Sequence, residues 1–394
     1  MHEDLRRNNL ATLVRHLHFS GPLTRSQLAA RTGLNRSTVG ALVGELASVS
    51  LVSESAPEPQ GAAGRPSLLV SLSAQRVWAL AVEIRPDALA VARVGLGGQV
   101  HETLSQRRDW KAGLTPVAAG GTIGRLAREL MSRAPAGSQL VGAAVAVPGI
   151  VRRSDGFVHL APNLLWHDVP LGHLVSKRLP VLSDVLVANE ADLGALAESS
   201  RGAAVGCKHV IYISGDAGVG GGILVDGSLL AGRSGYAGEV GHMKVNPDGH
   251  RCRCGGRGCW ESEIGAAAVL RRAGRRATDV PAAVARVISD ARAGDPVAMQ
   301  AVRETGRWVG RGAANLINIF NPDVVVFGGA LRNLFLVAEP VITRELRRQV
   351  LPQAGTEATV VAAGLGAGSV LVGAAELAFS DFLVSPKTAV AAGV

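Results

Sequence analysis

Aromatic residues are scarce, at 4% of 394 residues, so the cores must be built from Ala, Val, Leu and Ile. Charge is sparse too: 19% charged against 47% hydrophobic excludes a disordered, highly charged chain. Only four cysteines are present, too few to staple a chain of this size, which excludes a disulfide scaffold. The first residues, Met1 to Arg7, carry acids and lack the apolar core of a signal peptide, so a cytoplasmic protein is expected. The uncharged stretch 358–375 approaches membrane-span length. Gly364, Gly366, Gly368 and Ser369 divide it into a strand, a turn and a helix start, so no membrane span is expected. There is no short internal repeat.

What is present is length for two or three domains, 49 glycines for tight turns and close backbone approaches, and a net charge of +9. Residues 1–72 hold seven Arg and five acidic residues, so only +2 of that charge lies there. Net charge alone therefore does not locate a nucleic-acid surface.

Leu10, Leu13, Val14 and Leu17 are spaced as one helical face, predicting a helix over 4–19 that ends at Gly21-Pro22. Thr24-Arg25-Ser26-Gln27 is a capping-box pattern opening a second helix that stops at Thr32-Gly33. Asn35 or Ser37 caps a third helix bearing Val39, Leu42, Val43 and Leu46. Short strands at Val49–Val52 and Ser67–Leu72 flank a Pro/Gly-rich loop, and the whole reads as a winged helix-turn-helix over 1–72. At the head of the third helix, Asn35, Arg36, Ser37 and Thr38 can reach bases and phosphates, with Arg25 beside them. Arg65, in the loop, suits a minor groove. The alternative is a helix-turn-helix used for protein contacts.

From Trp78 onward apolar runs at 78–82, 141–147, 210–213 and 324–327 alternate with helical segments near 117–132, 191–199, 263–273 and 297–320, an α/β pattern. The tail after Phe382 is expected to be loosely ordered. His242 followed by Cys252, Cys254 and Cys259 offers one imidazole and three thiols among glycines, a set suited to tetrahedral Zn²⁺. Four protein ligands leave no open position, so such a zinc is structural; the alternative is a group of reduced surface thiols. Cys207 stands apart as a core thiol.

Glu239 lies three residues before His242 and Glu261 two after Cys259, so two carboxylates and an imidazole can converge on vicinal hydroxyls, or remain surface acids. Asn189-Glu190-Ala191-Asp192 follows an apolar stretch and opens a helix, where α/β proteins place chemistry or simply an N-cap. Gly215 to Gly222 is either a phosphate cradle or a Gly-rich hairpin.

Together these segments resemble the ROK family of repressors and sugar kinases, and within it the regulator branch of xylose- and N-acetylglucosamine-repressor type. The resemblance rests on A-G-E-V-G-H and C-R-C-G-G-R-G-C-W-E at 237–242 and 252–261, V-P-G-I at 147–150, A-P-N-L-L-W at 161–166, N-E-A-D at 189–192 and N-L-I-N-I-F-N-P-D-V-V-V-F-G-G at 315–329. The head's T-R-S-Q-L-A-A-R-T-G-L-N-R-S-T-V and G-R-P point to the regulators, because the kinases lack this extension.

The resemblance implies a two-lobed actin-like (ribonuclease H-like) body behind a winged helix-turn-helix, with a first lobe at 73–190 completed by a helix near 368–382 and a second at 191–367. It implies sugar contacts from Asn163, Asn189, Glu190, Glu239, His242 and Glu261, and zinc on His242, Cys252, Cys254 and Cys259. Where the kinases carry D-x-G-G-T to hold phosphate, Glu83-Ile84-Arg85-Pro86-Asp87 stands here, and Pro86 has no N–H to donate. Asp216 and Ala217 replace a Gly-Thr, and Glu190 replaces the catalytic Asp, one methylene too long for general-base geometry.

The expectation is a non-enzymatic, sugar-responsive regulator that binds operator DNA as a homodimer or tetramer, senses a monosaccharide and needs no ATP. N-E-A leans towards the xylose-repressor side. The rivals are an ATP-dependent sugar kinase carrying a DNA-binding domain, and a DNA binder that has lost its ligand.

Overall fold

The computed structural model describes residues 2–56, 67–107, 113–215 and 218–386. The head begins with α1 (His2–Ser20), which buries Leu10, Leu13, Val14 and Leu17 and stops at Gly21, in the left-handed region at φ +75°. β1 (Leu23–Thr24) leads into α2 (Arg25–Thr32) through the expected capping box. The Gln27 N–H donates to Thr24 Oγ1 at 3.2 Å and the Thr24 N–H to Gln27 Oε1 at 2.8 Å. For α3 (Arg36–Ser48) the cap is Asn35, whose Oδ1 accepts from the Thr38 N–H at 2.8 Å. Its predicted apolar face, Val39, Leu42, Val43 and Leu46, is buried.

β2 (Val52–Ser55) and β3 (Leu69–Leu72) form the wing with β1 on the outer edge. The expected strand at Val49–Val52 starts later because the chain first closes α3. Ser50 is left-handed at φ 59° and the Leu51 N–H reaches back to Leu46 O, a Schellman closure made without glycine. The wing loop 57–66, with Arg65, lies outside the described residues.

The first lobe contains β4 (Val77–Ile84), β5 (Ala88–Gly95), β6 (Val100–Arg107), α4 (Pro116–Ser132), β7 (Gln139–Val147), β8 (Ile150–Arg152), β9 (Phe157–Ala161), β10 (Trp166–Val169), α5 (Leu171–Ser176) and β11 (Leu186–Asn189). Both central strands, β4 and β5, are buried along their whole length because both faces are covered. Trp78, Leu80 and Val82 pack with α4, while Ala79 and Ala81 face a core shared with the head.

α6 (Glu190–Arg201) passes to the second lobe: β12 (Val210–Gly215), β13 (Val219–Val225), β14 (Ser228–Leu229), α7 (Trp260–Ile264), α8 (Ala266–Arg272), α9 (Val280–Arg292), α10 (Pro296–Phe320), β15 (Val324–Gly328), α11 (Gly329–Gln349), α12 (Pro352–Glu357) and β16 (Thr359–Ala362). The chain closes with α13 (Ser369–Ala378) and α14 (Ser380–Val384).

The sheets run β11-β7-β4-β5-β6 and β14-β13-β12-β15-β16. In each, the first three strands in sequence form an antiparallel meander and two later strands add in parallel. The architecture is therefore duplicated although the sequence shows no repeat. The Gly-rich segment is the β12–β13 hairpin, with Asp216 and Ala217 outside the described residues.

The helix expected over 263–273 is two helices, broken at Gly265, where ψ is 170° and a Cβ would press on the Glu261 carbonyl. The stretch 358–375 divides as expected into β16, a 3₁₀ turn (Gly366–Gly368) and α13. α13 packs on α6, β4 and β7, where the C-terminal helix was expected to complete the first lobe. Of the tail after Phe382, Leu383 is buried in α14 rather than loose, and residues 387–394 lie outside the described ones. No helix among the described residues is long and apolar enough to cross a membrane.

Candidate functional site

One cavity of about 170 Å³ gathers all six residues singled out for a ligand: Asn163, Asn189, Glu190, Glu239, His242 and Glu261. Pockets for larger organic ligands run to about 300–1,000 Å³, so this volume suits a single small ring. Asn189 ends β11 and caps α6: its Oδ1 accepts from the Ala191 N–H at 2.7 Å and its Nδ2 donates to Gly149 O at 2.9 Å. Asn189 is thus the cap of α6, and it and Glu190 also line the cavity.

Glu261, on the first turn of α7, accepts from the Val219 N–H at 3.0 Å, tying that turn to the start of β13. A Cβ at Gly218 would stand 2.8 Å from the same carboxylate, whose end would have to shift to admit it. Asn163 sits on the 3₁₀ turn Pro162–Leu164 and its Oδ1 accepts from Arg253 Nη1 at 3.3 Å, joining the first lobe to the cysteine loop.

His242 has one ring nitrogen for each neighbour. Nδ1 lies 3.8 Å from Cys252 Sγ and Nε2 lies 3.8 Å from Glu239 Oε2. Burial pushes the Glu239 carboxyl above its ordinary range; His242 opposes that shift and Glu261 adds to it. Every ligand atom of His242, Cys252, Cys254 and Cys259 lies within 4.8 Å of the others, a cluster able to hold a metal ion.

Cys254 Sγ and Cys259 Sγ are 3.6 Å apart. Two sulfurs at zinc's bond length on a tetrahedron stand about 3.8 Å apart, so the donors fit that ion. Without a cation, burial and the neighbouring thiols push Cys259 up to about 12, burial raises Cys252, and the Gly256 N–H lowers Cys254. The surface-thiol alternative fits poorly with buried Cys252 and Cys259. Cys207 is half-buried rather than a core thiol, with burial and then Asp323 raising its thiol.

Sequence reasoning missed two charged residues of the wall, Asp192 and Arg253. Asp192, buried on the first turn of α6, is raised by burial to about 7, with Arg153 opposing and Glu239 adding to the shift. Its signal was present in N-E-A-D, two residues beyond Glu190. Arg253, between two cysteines, also lines the cavity.

In the head, Arg36 and Ser37 are exposed at the start of α3 and Thr38 is half-buried, while Asn35 is occupied by its cap and by the Ser37 hydroxyl at 2.7 Å. Arg25 donates through Nε and Nη2 to both oxygens of Glu54, so it clamps α2 to the wing strand β2. At the β4–β5 turn, Arg85 Nη1 lies 3.2 Å from Glu83 Oε2 and Arg85 Nε 3.7 Å from Asp87 Oδ1, while the Arg85 N–H bonds Ala88 O.

The family model of the ROK family matches residues 106–380, and the chain belongs to that family. It is 27% identical over 381 residues to a xylose repressor of Bacillus spizizenii, covering 95% of this chain and 96% of that protein. It is 34% identical over 281 residues to a glucokinase of Streptomyces coelicolor, covering 67% of this chain and 88% of the enzyme. Among solved structures, a ROK family transcriptional regulator described as a homolog of the Escherichia coli MLC protein superposes with TM-score 0.78 at 24% identity, over 99% of this chain and all of that one. That fold, a two-lobed α/β body with an N-terminal winged helix-turn-helix, is the one expected.

Proposed function

We propose that this chain is a sugar-responsive, DNA-binding transcription regulator, a repressor of carbohydrate-utilisation genes, that senses a free monosaccharide in a cavity of sugar-kinase type. The observation that carries it is the convergence of Asn163, Asn189, Glu190, Glu239, His242 and Glu261 on one small cavity, in a body joined through a common core to a helix-turn-helix. The carboxylates accept from hydroxyls, and His242 Nε2, beside Glu239, adds a donor or acceptor. His242, Cys252, Cys254 and Cys259 would hold a structural zinc, which would neutralise the thiolates and restrain the His242 ring. The working division is a head at 1–72, a first lobe at 73–190 with α13, and a second lobe at 191–367.

The competing reading is a sugar kinase, supported by the likeness to glucokinase. Against it, the β4–β5 turn offers a phosphate Pro86, which lacks an N–H, and the repelling Asp87, while Arg85 leans on Glu83 and Asp87. Glu190 stands where that family's kinases carry a catalytic Asp. The reading is therefore of a binder that needs no ATP and acts in the cytoplasm.

α3 presents Arg36, Ser37 and Thr38 to a major groove, and a homodimer or tetramer would read a palindromic operator. The test is selection from a random duplex pool, followed by titration of the selected duplex with and without xylose, glucose and N-acetylglucosamine. A selected palindrome whose affinity one sugar changes supports the reading; failure to enrich any duplex overturns it.

A further inference from the structure

α6 touches the cavity with one end and the head with the other. Its first turn supplies Glu190 and Asp192 to the cavity wall. Eleven residues on, about 16 Å along a helix rising 1.5 Å per residue, stands Arg201. There Nε donates to Glu376 Oε1 of α13 at 2.6 Å, Nη1 donates to the carbonyl of His18 in α1 at 3.1 Å, and Nη2 lies 2.8 Å from His18 Nε2. The His18 ring is fully buried, with Nε2 2.7 Å from Glu376 Oε2 and Nδ1 accepting from the Gly97 N–H at 3.0 Å. Because Nδ1 accepts, the ring is neutral and its Nε2 proton goes to Glu376, so Arg201 Nη2 stands beside that nitrogen as a neighbour rather than a hydrogen-bond partner. The β5–β6 turn closes over this group: a Cβ on Gly98, at φ +77°, would collide with the Arg201 guanidinium.

We infer that α6 is the lever that carries occupancy of the cavity to the DNA-reading head, and that Arg201, Glu376 and His18 form the grip through which it acts. This rests on the sensing reading above. α6 has little freedom to flex within its own packing. Gly373 brings α13 against the Leu193 carbonyl, and Gly194 seats the Tyr212 ring of β12. A displacement of its first turn therefore reaches Arg201 as a rigid shift. The grip cannot absorb it by gradual stretching, because a buried ionic group with one partner withdrawn is strongly disfavoured over a fully satisfied one. Although burial alone would raise it, the hydrogen bond from His18 and the charge and hydrogen bond of Arg201 hold the Glu376 carboxyl below its ordinary range. α1 must then move with α6 or the network must re-form in a second arrangement, and either outcome re-aims α3, which shares its core with α1.

The experiment uses the full zinc-loaded chain and the duplex and sugar identified for the wild type. It measures the Kd for sugar and the Kd for DNA with and without saturating sugar, for the wild type, Arg201→Gln, and Arg201→Lys as a milder variant should Gln not fold. The wild type is expected to show a sugar-dependent change in DNA affinity in the usual coupling range of about 5- to 150-fold. Arg201→Gln is expected to keep its sugar Kd within about threefold while the coupling falls to about twofold or less, and Arg201→Lys to fall between. A folded variant in either form that retains full coupling overturns the lever. Absence of any sugar effect on the wild type's binding of DNA overturns the sensing reading itself, and is thereby distinguished from failure of the lever.

Discussion

Replacing Asp192 with Asn should stabilise the protein, and the gain should depend on pH. Asp192 is buried on the cavity wall, and burial raises its carboxyl from 3.8 to about 7, with Arg153 pulling the other way and Glu239 adding to the rise. The folded chain therefore holds this proton more tightly than the unfolded chain. Its contribution to stability is fully present below the unfolded value and is lost as pH rises through the folded one. A rise of about three units amounts to about 4 kcal/mol at pH 8, where the folded state must carry a buried carboxylate, and to under about 2 kcal/mol at pH 5. Asn keeps the shape and carries no charge, so the variant should gain most of that difference at pH 8 and much less at pH 5. Urea unfolding of sugar-free, zinc-loaded protein, followed by tryptophan fluorescence at both pH values, reads this directly. An equal change at the two pH values, or a loss at pH 8, would refute the assignment.

Chelation of the metal, or Cys259→Ser, should release about one zinc per chain by elemental analysis and weaken sugar binding; normal affinity after metal loss would detach Glu239, His242 and Glu261 from the metal loop. Arg36→Ala should weaken DNA binding at fixed moderate salt and lower the salt slope if it contacts phosphate, whereas unchanged affinity would count against the docking of α3. Gly373→Val puts a side chain into the Leu193 carbonyl and should cost about 3 kcal/mol or more, read by thermal unfolding; a near-neutral result would mean that α13 and α6 are less tightly packed than described.

The head was largely legible because its signals are local. Thr24 and Gln27 close their box within one turn, and the apolar positions of α3 repeat at helical spacing. The cavity and metal residues were legible because their chemistry is uncommon and most of them cluster in 237–261. Other features depend on distance and shape. The His18–Glu376 contact joins residues 358 apart, and no local pattern marks either as a partner. Ser50 closes α3 in a conformation usually given to glycine, so the start of the wing strand was misplaced. The duplicated sheets share strand order rather than residues, which no search for sequence repeats can register. Glu198 accepts from the N–H groups of Ala203, Gly364 and Leu365 and from the Ser369 hydroxyl, pinning α6 to the turn before α13 from a position that reads as an ordinary helical glutamate.

The measurement that bears most directly on the central claim is thermal unfolding of the zinc-loaded protein against pentoses, hexoses and N-acetylhexosamines, each with and without Mg-ATP. A ligand at about a hundred times its Kd stabilises by about 2.7 kcal/mol, a shift readily seen in a cooperative lobe. The account predicts that one free sugar raises the midpoint and that Mg-ATP adds nothing. A further rise with Mg-ATP in the presence of that sugar, accompanied by its phosphorylation, would contradict it and restore the kinase reading.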